Sequence, residues 1–144
     1  MITVKNVETV EERHQAYNIR EVVFEDEMNI RVVDDFDGKD EEENTHHVLA
    51  FFEDRAVGTA RWRPLQDGTV KVERVAVLPE FRKRGIGEAI MRFAEDTLRM
   101  VKFRMVTVNA QDYIKEFYEK LGYEQVGPFF KEAGILHVRM TKNL

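Results

Sequence analysis

Cysteine and serine are both absent from this chain of 144 residues. Without cysteine there are no disulfide bonds, no thiolate metal site and no cysteine nucleophile, which is compatible with a reducing cytoplasm. Without serine as well, two side chains that commonly form covalent intermediates are missing, and this favours chemistry by direct attack. The four histidines show no metal-binding spacing such as HExxH, so we expect no metal site.

Long apolar runs are also missing. No stretch approaches the roughly 18 consecutive apolar residues that a membrane-spanning helix needs. Residues 1–5 do not form a basic region followed by an apolar run, so no secretory signal is visible. We therefore expect a cytoplasmic protein with no membrane partner.

The net charge of −5 comes from one segment, residues 34–43, which contains seven acids and the single base Lys39. The remaining residues hold 20 of the 27 acids and 21 of the 22 bases and are nearly neutral. This balance does not favour binding to the phosphate backbone of nucleic acid. The acidic segment by itself reads as a solvated connection.

The composition predicts a packed core, since 43% of the residues are hydrophobic and 10% are aromatic. At this length we expect one domain over residues 1–144, of the mixed α/β (α+β) class. The apolar patterns predict strands at 2–7, 46–52, 56–64, 69–78, 105–108 and 135–141, and helices at 9–27, 86–101 and 111–121. Thr9 followed by Glu12 fits a capping box. We expect an exposed loop at residues 29–44, where apolar periodicity is weak.

A turn rich in basic residues and glycine precedes the long helix, with the sequence Arg82-Lys83-Arg84-Gly85-Ile86-Gly87. Backbone N–H groups at a helix start lack intrahelical partners, and the helix dipole favours negative charge there. The turn therefore indicates a pyrophosphate site, or else a helix start whose glycines only serve the turn. It is not a Walker loop, and Ile90 occupies the place of the third glycine in a GxGxxG motif.

The stretch VAVLPEFRKRGIG, residues 75–87, resembles motif A of the GNAT N-acetyltransferases. The signature of that motif is Arg/Gln-x-x-Gly-x-Gly/Ala after a Val-x-Pro segment. Asn-Ala-Gln at 109–111 and Phe-Tyr-Glu-Lys-Leu-Gly-Tyr at 117–123 resemble the next motif of the family. Phe36-Asp37, Thr45-His46 and Gly134-Ile135-x-His137 resemble its small bacterial ElaA/YjcF-type branch.

This resemblance implies a GNAT fold, in which helices flank a mixed central sheet and acetyl-CoA lies between splayed strands at 72–78 and 105–108. Backbone groups of Val75 and Val77 would pair with the pantetheine arm. An N–H at a bulge near Val75 or Ala76 would polarise the thioester carbonyl. The N–H groups of residues 83–88 would hold the pyrophosphate. The implied acetyl-CoA contacts are Val75, Ala76, Val77, Arg82, Lys83, Arg84, Gly85, Ile86, Gly87, Glu88 and Asn109.

Tyr118 matches the position at which many GNAT enzymes place a tyrosine general acid, which protonates the departing thiolate. The alternative is a core aromatic on a helix. Glu73 is a candidate general base on the strand, or else an ordinary sheet-face residue in an ion pair. His46, His137 and a water chain remain alternatives as the base, because imidazoles titrate near working pH.

The resemblance thus implies an acetyl-CoA-dependent N-acetyltransferase that acts by direct transfer in a ternary complex. We expect a primary amine on a small molecule as acceptor, with a peptide amine as second choice. Because the region after the first helix commonly borders the acceptor site in this fold, residues 34–43 could also attract cationic amines. A silent acyl-CoA sensor and, more weakly, a nucleic-acid-binding domain are rival interpretations. Many family members form dimers, which leaves a homodimer open.

Overall fold

Eight strands form one open sheet in the computed structural model, which describes residues 1–144. The order in the sheet is β1-β2-β3-β4-β5-β8-β6, and β7 pairs with β8 beside this path. The pair of β4 and β5 is parallel and the other pairs are antiparallel, which confirms the predicted mixed α/β class. The strands are β1 Ile2–Asn6, β2 His46–Phe52, β3 Arg55–Pro64, β4 Thr69–Val77, β5 Met105–Gln111, β6 Glu124–Gln125, β7 Phe130–Glu132 and β8 Ile135–Asn143.

Four α-helices accompany the sheet, and none of the chain's helices is long and apolar enough to cross a membrane. The α-helices are α1 Val10–Arg20, α2 Val32–Asp35, α3 Ile86–Met100 and α4 Lys115–Lys120. A π-helical segment, Glu21–Glu27, extends α1, so the predicted helix at 9–27 changes its winding after Arg20. Short 3₁₀ turns occupy Lys39–Glu41, Pro79–Phe81 and Asp112–Ile114.

Helix α1 begins at the predicted capping box. The Thr9 hydroxyl accepts a hydrogen bond from the Glu12 N–H at 3.1 Å, and the Glu12 carboxylate accepts one from the Thr9 N–H at 3.2 Å. Two N–H groups that the helix leaves free are satisfied in this way, which confirms the start of α1.

Helix α3 lies close to β3 and β4 because a glycine faces it. A Cβ atom at Gly58 would meet Ile90 Cδ1 at 3.0 Å and the Ala76 carbonyl oxygen at 3.3 Å. The inward face of α3 is buried at Ile86, Ile90, Met91, Ala94 and Leu98. This contact sets the position of the basic turn at the start of α3, relative to the end of β4.

The exposed loop expected at residues 29–44 is correct only in part, because most of these residues are exposed but the segment is not irregular throughout. The segment forms α2 and the turn Lys39–Glu41, and it buries the carboxylates of Asp35 and Asp40. Repulsion among the acids is offset by arginines from other elements, above all Arg20 of α1 and Arg61 of β3, which are 1% and 0% exposed. Part of the negative charge of this segment therefore forms ion pairs with arginines inside the fold.

Candidate active site

Strands β4 and β5 pair at one end and part at the other. Their parallel register covers Thr69 with Met105, Val70 with Val106 and Lys71 with Thr107, and it goes no further. A cavity of about 280 Å³ lies where they diverge. The strand residues that line it are Val72, Glu73, Arg74, Val75, Asn109, Ala110 and Gln111.

A β-bulge interrupts β4 beside this cavity, as expected near Val75. Thr59 of β3 faces Ala76 and Arg61 faces Glu73, so Arg74 and Val75 together oppose the single residue Ala60. Arg74 adopts a left-handed conformation with φ of 57°. A bulge of this kind withdraws backbone groups from the ladder and changes the direction of side chains, and the consecutive residues 73–75 consequently all line the cavity.

The turn before α3 presents a row of free backbone N–H groups. Those of Lys83, Arg84 and Gly85 have no acceptor within the protein, and those of Ile86, Gly87 and Glu88 precede the first bond of the helix, from the Ala89 N–H to the Gly85 carbonyl at 3.0 Å. Two left-handed residues, Lys83 with φ of 63° and Gly85 with φ of 82°, shape this turn. Six donors at a helix start form an anion-binding arrangement.

The basic side chains of this turn have different surroundings. Arg82 donates to both carboxylate oxygens of Glu27, at 2.6 and 2.7 Å, and to the Val77 carbonyl at 3.0 Å. Its guanidinium is therefore occupied and holds the π-helical segment against the turn. The Arg84 guanidinium lies over the rings of Phe52 and Phe81, 5.1 and 5.3 Å from their centroids.

Tyr118 of α4 lines the cavity from below the opening and is 7% exposed. Its ring packs edge-on against Phe117 and Tyr123, and its hydroxyl has no hydrogen-bond partner in the protein. Burial raises the pKa of Tyr118, so the phenol stays protonated at neutral pH. Helix α4 is seated by Gly87, where a Cβ would lie 3.2 Å from the Phe117 ring.

Glu73 lines the cavity too, but three cations surround its carboxylate. Arg61 and Arg63 donate to Oε2 at 2.9 and 2.6 Å, and Lys71 Nζ lies 3.3 Å from Oε1. Burial favours the protonated form, yet the hydrogen bond from Arg63 and the neighbouring charges lower the pKa of Glu73 to about 2. Such a carboxylate is a weak proton acceptor, so the geometry argues against Glu73 as the base and favours an ion-paired positioning role.

The two histidines considered as bases lie in different places. His46 is exposed on β2, 5.8 Å from the Trp62 ring, and does not line the cavity. His137 of β8 is 6% exposed and lines it. Its Nδ1 lies 2.7 Å from the Ile135 carbonyl oxygen, which can only accept, so Nδ1 carries the hydrogen and Nε2 has the free lone pair in the neutral ring.

Glu132 of β7 stands beside His137 on the same wall. Its Oε2 lies 3.8 Å from His137 Nε2, and its Oε1 accepts a hydrogen bond from the Asn109 amide at 3.3 Å. Asn109 is thus at the cavity, as the sequence motif implied, but its side chain contacts Glu132. Strand β7 was not predicted from the sequence, because three residues give too short a pattern to recognise.

Residues of the acidic segment close the remaining side of the cavity, at Asp34, Asp35, Asp37 and Lys39. A buried ion network ties this segment to the sheet. Arg20 pairs with Asp35 at 3.1 Å and with Asp40 at 2.6 Å. Arg61 pairs with Asp40 at 2.9 Å and with Asp37 at 2.8 Å. Sequence reasoning missed the network, although an arginine in the middle of the apolar stretch 56–62 was a signal of it.

Taken together, splayed parallel strands, a bulge, a helix start with free N–H groups and a buried tyrosine define an acyltransferase type of site. The family model for the acetyltransferase (GNAT) domain matches residues 11–144. The chain belongs to the GNAT acetyltransferase family, which confirms the resemblance found in the sequence. No group of three or more metal-ligating side chains is present.

Individual relatives agree with this assignment. The chain is 32% identical over 143 residues to YjcF of Bacillus subtilis, named an uncharacterized N-acetyltransferase, covering 99% of this chain and 98% of that protein. The crystal structure of Escherichia coli ElaA has a TM-score of 0.87 and 26% identity, covering 99% of both chains. The structure of an aminoglycoside 6'-N-acetyltransferase complexed with coenzyme A has a TM-score of 0.81 to this chain, covering 98% of this chain and 96% of that one. At 14% identity, this similarity concerns the fold alone.

Proposed function

We propose that this protein transfers an acetyl group from acetyl-CoA to a primary amine on a small molecule. The observation that carries the proposal is the row of free N–H groups from Lys83 to Glu88, which leads to the opening between β4 and β5. Pyrophosphate at the turn and pantetheine along β4 place the thioester at the bulge, beside Val75 and Ala76. The related fold that was crystallised with coenzyme A supports this choice of substrate.

The bulge supplies the electrophilic assistance. An N–H near Val75, released from the ladder, donates to the thioester oxygen as negative charge develops on it. Tyr118 donates its proton to the departing sulfur when the tetrahedral intermediate collapses. The raised pKa of Tyr118 suits this role, because the hydroxyl is protonated throughout the physiological range. The hydroxyl also donates to no acceptor within the protein.

His137 accepts the proton that the ammonium group of the acceptor must lose before attack. Its Nδ1 hydrogen is engaged with the Ile135 carbonyl, so Nε2 is the atom left to accept a proton, and the residue lines the cavity. Glu132 lies close enough to stabilise the imidazolium that forms. Because the chain has neither cysteine nor serine, we assign direct attack of the amine on acetyl-CoA in a ternary complex.

The size of the cavity favours a small acceptor over a folded protein. The cavity volume of about 280 Å³ lies just below the range of about 300–1,000 Å³ that is usual for small-molecule sites. The acyl carbon and the amine must both fit there, which leaves room for an acceptor of metabolite size.

The test is a screen of amines with acetyl-CoA, read as thiol release with a thiol reagent. The absence of cysteine helps, because the protein itself gives no signal with the reagent. We expect turnover with some amines and a kcat lower by about 10²–10⁴-fold in the Tyr118→Phe variant. Binding of CoA with no turnover over a wide panel would instead indicate an acyl-CoA-binding module, and absence of CoA binding would reject both functions.

A further inference from the structure

The carboxylates on the β4 side of the cavity each lie beside a cation of the protein. Each is already paired: Asp34 with Arg31 at 3.0 Å, Asp35 with Arg20 at 3.1 Å and Asp37 with Arg61 at 2.8 Å. Glu73 has three cationic partners. This pairing weakens the expectation that the acidic segment attracts cationic amines, although the segment does border the cavity.

Two cations on the same wall retain free donors. No carboxylate lies within 4.0 Å of Lys39 Nζ, and no acceptor in the protein contacts it. Arg74 donates from Nε and Nη2 to the carbonyls of Asp35 and Asp34 at 3.1 and 2.8 Å, and it pairs with the carboxylates of Asp35 and Asp37 at 3.5 and 3.3 Å, while its Nη1 has no partner in the protein. Burial, followed by the nearby charge of Arg61, lowers the pKa of Arg74, and the charges of Glu73 and Asp37 oppose this only in part.

The opposite wall has the reverse character. It belongs to β5, β7 and β8 and presents the carboxylate of Glu132 and the lone pair of His137 Nε2. Because β4 and β5 diverge, the cavity separates a wall with free cationic donors from a wall with an anion and a base. A ligand that carries an ammonium group and an anionic group matches both walls at once.

We propose that the acceptor is an amino carboxylic acid, with its amine toward His137 and Glu132 and its carboxylate bound by Lys39 and Arg74. This inference rests on the proposed acetyl transfer and names its substrate class. Guanidinium and ammonium groups both bind carboxylates through charge-assisted hydrogen bonds. Lys39 and Arg74 are substrate-binding residues here, and neither contacts the acyl group.

The experiment compares each amino acid with the amine that lacks only its carboxylate, for example leucine with 3-methylbutylamine and phenylalanine with 2-phenylethylamine. We expect kcat/KM to be at least about tenfold higher for the preferred amino acid than for its matched amine. In Lys39→Gln, KM for the amino acid should rise about tenfold, and KM for the matched amine should change little. Lys102→Gln, the same change at an exposed site after α3, is the control.

A second measurement requires neither turnover nor a folded Arg74→Gln variant, because it uses the wild-type protein. Binding of the amino acid and of its matched amine to the CoA-saturated wild-type protein is followed by calorimetry. Tighter binding of the amino acid, without turnover, supports the carboxylate site and rejects the proposed transfer. If the matched amines are acetylated as fast as the amino acids, or bind as tightly, the amino acid assignment is overturned. The proposed acetyl transfer would remain.

Discussion

Replacing Glu73 by glutamine distinguishes an ion-paired anchor from a general base. The Glu73 side chain is 9% exposed and accepts from Arg61 and Arg63 while Lys71 lies beside it. Glutamine keeps the shape but removes the charge, and its amide hydrogens face cations. We therefore expect a large loss of stability from Glu73→Gln and a small direct effect on catalysis.

The magnitude follows from the pKa of the carboxyl group. It falls from an ordinary 4.5 to about 2 in the folded protein, and each pKa unit corresponds to about 1.4 kcal/mol, so the ionised form stabilises the fold by about 3 kcal/mol. Removing one partner of a buried ion pair costs a similar amount, about 3–5 kcal/mol. A loss of about 3 kcal/mol in the free energy of unfolding is the expected result.

The pH dependence has a definite sign. Because folding lowers the pKa of Glu73, its contribution is present above pH 4.5 and is lost as the pH falls toward about 2. The difference in stability between the wild type and Glu73→Gln should thus be full at pH 7 and shrink below pH 4.5. Urea unfolding measures it, with fluorescence of the single tryptophan, Trp62, which is 4% exposed.

The matched control is Glu124→Gln, since Glu124 is exposed on β6 and has no ion pair. The reasoning is refuted if Glu73→Gln unfolds within about 0.5 kcal/mol of the wild type while kcat falls by about 100-fold or more. That outcome would restore Glu73 as the general base.

Three further predictions concern residues to which we assign a part in the proposed transfer. Tyr118→Phe should lower kcat by about 10²–10⁴-fold, with an unchanged urea midpoint, because the hydroxyl has no partner in the protein; unchanged turnover would remove its role as the acid. His137→Asn should lower kcat similarly, and unchanged turnover would assign the base elsewhere. Gly87→Ala should raise KM for acetyl-CoA several-fold, because its Cβ would displace the Phe117 ring at 3.2 Å; stability should change little, since alanine favours the helix by about 1 kcal/mol. An unaltered KM would show that α4 moves to accommodate the methyl group of the alanine.

The parts of the site that the sequence predicted are local in the chain. The basic turn precedes α3 directly, and the capping box from Thr9 to Glu12 spans four residues. Such patterns act within one or two turns of helix, so residue types and spacing suffice to recognise them. The free N–H groups at residues 83–88 follow from the same local geometry.

The parts that the sequence did not predict depend on distant residues. Arg61 pairs with Asp37, 24 residues away, and Arg74 donates to the Asp34 carbonyl across 40 residues. Repulsion among the acids indicated a loop only because these arginines had no assigned place. His137 could be named as a candidate, but its orientation depends on the fold of β8 and on the carbonyl of Ile135.

Arg74 joins the two halves of the site. Its left-handed backbone costs about 1–2 kcal/mol and forms the bulge at which the thioester oxygen would be stabilised. Its buried side chain makes hydrogen bonds to the carbonyls of Asp34 and Asp35, and bonds from a charged group contribute about 1.5–3 kcal/mol each. These bonds outweigh the backbone strain only while the segment 34–37 is folded against β4. The shape of the proposed acyl site and the presence of the proposed acceptor wall are therefore coupled, which explains why a segment far along the chain carries buried charge.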